Sequence, residues 1–108
     1  MQDILKKSNE YIPTPDNILD YISKYYGIEK EIICGQQRVK DAVAARQIAM
    51  YLMRNLMYLP LKEIGEEFGG RNHATVLSSI RKVEELLKSD PEIAATVRDI
   101  TSNINSKN

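Results

Sequence analysis

Phe68-Gly69-Gly70-Arg71-Asn72-His73-Ala74-Thr75-Val76 separates two segments whose apolar residues recur at helical spacing. Leu61, Ile64 and Phe68 form the stripe before it, and Val76, Ile80, Val83 and Leu87 form the stripe after it. The glycine pair ends the first helix, and Asn72 can cap the second. Arg71, Asn72, His73 and Thr75 then crowd the first turn of that second helix. Two helices joined by a short glycine turn, with polar groups opening the second, match the layout of a helix-turn-helix that sets its second helix in a DNA major groove.

The side chains at this helix start suit base edges. Arg71 can hold a phosphate or read guanine O6 and N7, and Asn72 can pair with adenine when it is not capping. His73 can donate to or accept from a base, while Ala74 and Thr75 present methyl groups to thymine. The orphan N–H groups and positive dipole of the helix end also favour a backbone phosphate. Taken singly, Asn72 reads equally as a cap and His73 as an ordinary surface residue.

Working outward, every periodic segment is helical, and neither an internal repeat nor strand-like alternation appears. Thr14-Pro15-Asp16 opens a helix with a cap, a first-turn proline and a dipole-complementing acid. Ile18, Ile22 and Tyr25 carry its stripe, Tyr26 lies alongside, and Gly27 ends it. A short helix over Glu29 to Ile33 leads into the polar loop Gly35-Gln36-Gln37-Arg38. Lys40 to Leu56 forms a longer helix with Ala42, Ala45, Ala49, Leu52 and Leu56 inward. Pro60 starts the helix Leu61 to Phe68, inside which Gly65 costs about 1 kcal/mol relative to alanine and points to a tight helix crossing. Asp90-Pro91 starts a last helix with Ile93, Val97, Ile100 and Ile104 on one face. The expected fold is all-α, with about six helices around a helix-turn-helix.

The chain has 108 residues, the length of one domain with a modest core. No apolar run approaches the roughly 18 residues of a membrane span, and no signal peptide is evident. Cys34 stands alone, which excludes an internal disulfide and a cysteine metal cluster. Fifteen basic and fifteen acidic residues cancel, whereas DNA-binding domains are usually basic. The distribution is uneven, however. Arg38, Lys40, Arg46 and Arg54 face one acid, Asp41, between positions 38 and 54, and Arg71, Arg81 and Lys82 face none between 71 and 82. Two basic segments on one face would make a phosphate footprint on a neutral molecule. The loop with Arg38 and Lys40 could then lie over a backbone and an A·T-rich minor groove, although a merely solvated helix face explains the same charges. A nucleophile–base pair at usable spacing is lacking, so an enzyme is the weakest reading.

Three stretches resemble the C-terminal DNA-binding domain of the bacterial replication initiator family DnaA. They are Ala45-Arg46-Gln47-Ile48-Ala49-Met50-Tyr51-Leu52, Leu61-Lys62-Glu63-Ile64-Gly65-Glu66-Glu67-Phe68, and Gly69-Gly70-Arg71-Asn72-His73-Ala74-Thr75-Val76. The resemblance runs from about Ile12 to Ile104. It implies a helix-turn-helix domain over 13–108, and it likens 1–12 to the end of an ATPase lid and a linker. The chain would then be a fragment of a longer initiator.

By this resemblance the domain binds double-stranded DNA at origin sites called DnaA boxes. Arg38 falls on the minor-groove position. Arg71, Asn72, His73, Ala74 and Thr75 fall on positions that read or flank major-groove bases, and Lys40, Arg46, Gln47 and Arg54 on positions at the phosphate backbone. Asn72 stands where the family usually has aspartate and Ala74 where it has threonine, while Gln36 and Gln37 replace common basic residues. Fewer phosphate contacts imply weaker binding with a shallower salt dependence. The resemblance implies no cofactor for this chain, since ATP and magnesium belong to the full-length protein. It further implies a cytoplasmic, nucleoid-associated, monomeric fragment off the membrane, open to protein regulators of initiation. A phage or mobile-element transcriptional regulator, or an interaction module that has lost DNA binding, stay open as alternatives.

Overall fold

The computed structural model describes residues 13–105, so the linker expected over 1–12 lies outside the described residues. Six α-helices and no strand occur among them: α1 (Pro15–Tyr26), α2 (Lys30–Ile33), α3 (Lys40–Met57), α4 (Leu61–Glu67), α5 (His73–Ser89) and α6 (Pro91–Asn105). The architecture is the all-α, helix-turn-helix one that the periodicity predicts. None of these helices is long and apolar enough to cross a membrane.

Thr14 and Asn17 start α1 by capping each other's backbone. The Asn17 N–H donates to Thr14 Oγ1 at 3.1 Å, and the Thr14 N–H donates to Asn17 Oδ1 at 3.3 Å. The inward face is Ile18, Leu19 and Ile22, not the predicted Ile18, Ile22 and Tyr25. At 100° per residue the stripe is centred between Ile18 and Leu19, which brings Tyr26 nearer its middle and turns Tyr25 outward, 45% exposed. The Tyr25 ring meets Tyr26 edge-on, with centroids 5.5 Å apart.

The centre of the molecule is α3, which packs on α1, α2, α4 and α5. Its predicted stripe is inward: Ala42, Ala45, Ala49 and Leu52 are buried, and Leu56 is half-buried. The small alanine side chains keep the neighbouring backbones close, while Ile48, Met50 and Met53 fill the space beside them. The helix ends at Tyr58, whose φ of 57° is left-handed, and the Arg54 guanidinium closes the end by donating to the Leu59 carbonyl at 2.8 Å. Against α1 and α5 lies α6, burying Val97, Ile100 and Ile104, with Ile93 half-buried. Its start is held by the Asp90 carboxylate, which accepts the Glu92 N–H at 3.0 Å.

Gly65 fixes the angle between α4 and α5. Its carbonyl accepts N–H groups from Phe68 at 3.1 Å, Gly70 at 3.0 Å and Arg71 at 3.1 Å. A methyl group built on Gly65 would lie far inside van der Waals contact of the Arg71 carbonyl oxygen, 3.2 Å from its carbon and 3.6 Å from Val76 Cγ2. The predicted close approach is present, with Val76 of α5 in ordinary contact, but the nearest group is the backbone of the turn, folded back onto its own helix.

Candidate nucleic-acid interface

The turn leaves α4 through Gly69 and Gly70, at φ +81° and +83°, a conformation in which a side chain is strained. The chain then enters α5 through Asn72, whose Oδ1 accepts the Thr75 N–H at 2.9 Å. The cap uses the same oxygen that bidentate pairing with adenine would call on, and in this structure Asn72 is held in its capping role. Asn72→Ala should lower stability by about 1 kcal/mol, read from urea unfolding, with an unchanged midpoint as the contrary result. His73, Ala74 and Thr75 follow on the first turn of α5, all exposed.

Arg71 and Arg46 stand apart from these surface groups. Arg46 is only 7% exposed. Its Nε donates to the Ile33 carbonyl at 2.7 Å, and its Nη2 to the carbonyls of Gln37 at 2.9 Å and Ile32 at 3.3 Å. Expected at a phosphate, this guanidinium ties the end of α2 and the following loop to α3 through Nε and Nη2, leaving Nη1 outside these bonds. Arg71 reaches the same loop from the other side, where its Nη2 donates to the Gly35 carbonyl and its Nε is buried without a hydrogen-bond partner. Burial lowers the Arg46 pKa, and the nearby Arg71 charge lowers it further. The two cations share one corner of the fold.

That corner opens as a cleft of about 310 Å³ lined by Gln36, Arg38, Val43, Arg46, Gln47, Met50, Arg71 and Ser79. It gathers residues from the loop, α3, the turn and α5, which lie far apart along the chain. Arg38 is exposed, Gln47 is half-buried, and Lys40 is exposed at the first position of α3. Arg54 is not among the lining residues. It is eight positions beyond Arg46, a rise of about 12 Å along α3, and its Nη1 is engaged with Leu59.

Along α5 a shallow depression of about 380 Å³ is lined by Ala74, Leu77, Ser78, Arg81, Lys82 and Glu85. This face extends the exposed first turn by two further turns. Ser78 joins this face in the structure, and its i+4 spacing from Ala74 and to Lys82 is the sequence signal for it. No group of three or more His, Cys, Asp or Glu able to hold a metal occurs among the described residues. Burial pushes the Cys34 thiol up, and Glu67 reinforces the shift, both opposing thiolate formation.

Residues 15–83 match the family described as bacterial DnaA protein helix-turn-helix. The chain belongs to this family. It is 42% identical over 94 residues to the chromosomal replication initiator protein DnaA of Neisseria meningitidis, covering 87% of this chain and 18% of that protein. It is 46% identical over 86 residues to the protein of the same name from Mycoplasma capricolum, covering 80% of this chain and 19% of that one. A crystal structure titled DNA replication initiation factor superposes with a TM-score of 0.76 at 32% identity, over 85% of this chain and 28% of the other. The chain thus spans less than a fifth of the curated relatives named here. Its likeness to them lies in the DnaA helix-turn-helix and not in an ATPase domain. The matched span begins with α1 and runs into α5, so it includes the Arg38 loop, the cleft and the α5 start.

Proposed function

We propose that this DnaA helix-turn-helix binds double-stranded DNA sequence-specifically at DnaA boxes of a replication origin. In this arrangement α5 enters the major groove with His73, Ala74 and Thr75 toward the base edges, and Arg38 reaches an adjacent A·T-rich minor groove. Lys40, Gln47 and Arg54 hold backbone phosphates, with Arg81 and Lys82 further along the α5 face adding positive charge. Asn72 serves as the cap that sets the first turn. The observation that carries the reading is the exposed first turn of α5 standing beside a cleft that joins Arg38 to the turn.

The neutral total charge does not oppose this, because exposed acids such as Glu63, Glu66 and Glu67 lie on α4, outside the residues lining the cleft. Fluorescence-anisotropy titrations of a DnaA-box duplex and a scrambled duplex at two salt concentrations test the assignment. Arg38→Ala should weaken box binding about tenfold and scrambled binding far less, since a specific contact is worth about 1–3 kcal/mol. His73→Ala should narrow the ratio between box and scrambled duplex while leaving scrambled binding nearly unchanged. Equal losses on both duplexes would defeat the two-groove arrangement, and no preference of the native chain for any box would defeat the function. In the cell the domain would act on the chromosome, and its regulators would be proteins of initiation.

A further inference from the structure

We infer that Arg71 and Arg46 are positioning residues, which couple the α5 start to the Arg38 loop by holding four carbonyls between positions 32 and 37. The inference rests on the two-groove reading above. Arg46 takes the carbonyls of Ile32, Ile33 and Gln37 from the α3 side, and Arg71 takes that of Gly35 from the helix-turn-helix side. Arg38 is the next residue after this clamped segment. The front of the segment is fastened independently, since Ile33 is buried, Lys30 pairs with Asp16 and Asp20, and the Gly35 N–H donates to the Ile32 carbonyl. Toward Arg38 the α3 N-cap Val39 makes no side-chain capping bond, so there the two arginines are the side chains that hold the backbone.

Arg71 is attached at its other end just as firmly. Its backbone N–H donates to the Gly65 carbonyl, and Asn72 beside it caps α5. One side chain therefore bridges from the turn that orients α5 to the loop that presents Arg38, with a sequence separation of 36 between Arg71 and Gly35. The two guanidiniums repel each other, so neither pulls the other into place, and the carbonyl dipoles supply the attraction for both. The distance between the major-groove and minor-groove elements is then set by Arg71, which touches neither groove itself. Such a spacing device makes the two contacts interdependent.

The test is a double-mutant cycle on the full chain with the box duplex as probe. Arg71→Gln should weaken box binding about tenfold in the native background and by less than about twofold in the Arg38→Ala background, as residues acting through one network do. The salt dependence of scrambled-duplex binding should keep its slope, because no phosphate contact is lost. Equal losses in both backgrounds, or a slope reduced by about one, would show that Arg71 meets DNA directly and would overturn the inference. Hydrogen exchange gives an independent reading without DNA. In Arg71→Gln the amides of residues 35–39 should exchange faster while those of α3 stay protected, and an unchanged loop would overturn the inference. Arg71→Lys, which keeps the charge but replaces the planar fork by a point ammonium, replaces the glutamine variant if that one does not fold. Should Arg38→Ala leave box binding intact, the minor-groove assignment fails, and the exchange measurement still decides whether Arg71 holds the loop.

Discussion

Arg46→Met should lower the stability of this domain by about 3 kcal/mol, and Arg46→Lys by about half as much. Methionine has nearly the length of the arginine stem and keeps its packing against α3, so the effect isolates the guanidinium. The carbonyls of Ile33 and Gln37 lose the Arg46 donor, and that of Ile32 is left with backbone N–H donors alone. Each of these bonds involves a charged donor, which makes it stronger than a neutral bond, and water replaces the buried bond to Ile33 poorly, while the other two are part-buried. Lysine retains the charge but offers a single point in place of a planar fork, so it cannot span carbonyls of both α2 and the loop. For a domain of this size the methionine variant should melt roughly 15 °C lower. Circular dichroism with temperature measures this, and a melting point within a few degrees of the native chain would mean that packing alone holds the corner. DNA binding by Arg46→Met should fall on the box duplex more than on the scrambled one, since the loop that presents Arg38 is loosened.

Gly65→Ala tests the other end of the same assembly and should also remove about 3 kcal/mol, at the upper end of overpacking effects. Helix propensity alone predicts the opposite sign, a gain of about 1 kcal/mol for alanine in a helix interior. The tertiary contact outweighs it because the added methyl meets backbone, the carbonyl group of Arg71, and not the end of a side chain that could rotate away. The turn would have to lift, which strains three hydrogen bonds onto the Gly65 carbonyl and displaces the Asn72 cap. Urea unfolding followed by far-ultraviolet circular dichroism reads the loss. A variant as stable as the native chain, or more so, would show that the turn can be repositioned freely and that α5 is not oriented by this contact.

Much of this architecture is legible in one dimension. Helix starts at Thr14, Pro60, Asn72 and Asp90 show because capping and proline placement are local, needing only the next three or four residues. The stripes of α3, α5 and α6 show because one face of each helix meets a single continuous core. Periodicity alone places Tyr25 in the stripe of α1, but two apolar residues in the same turn compete there and the packing partners turn Tyr25 outward. The motif at 68–76 likewise announces a helix-turn-helix, since glycine conformation and capping are properties of neighbouring residues.

The roles of the arginines were not legible in this way. Arg38, Arg46, Arg54 and Arg71 look alike in sequence, as cations in two basic segments. Folding separates them into an exposed loop residue, a buried clamp, a helix-end cap and a bridge between turn and loop. A guanidinium takes its role from whichever acceptors lie within reach, and for Arg46 and Arg71 those carbonyls belong to residues 9 to 36 positions away. Gly65 belongs with them, because the group it must avoid arrives only when the turn closes. Local rules were enough to write the helices, the turn and the family into the chain. Which cations stay free to face a ligand depends on long-range acceptors that exist only once α2, α3 and the turn are packed together.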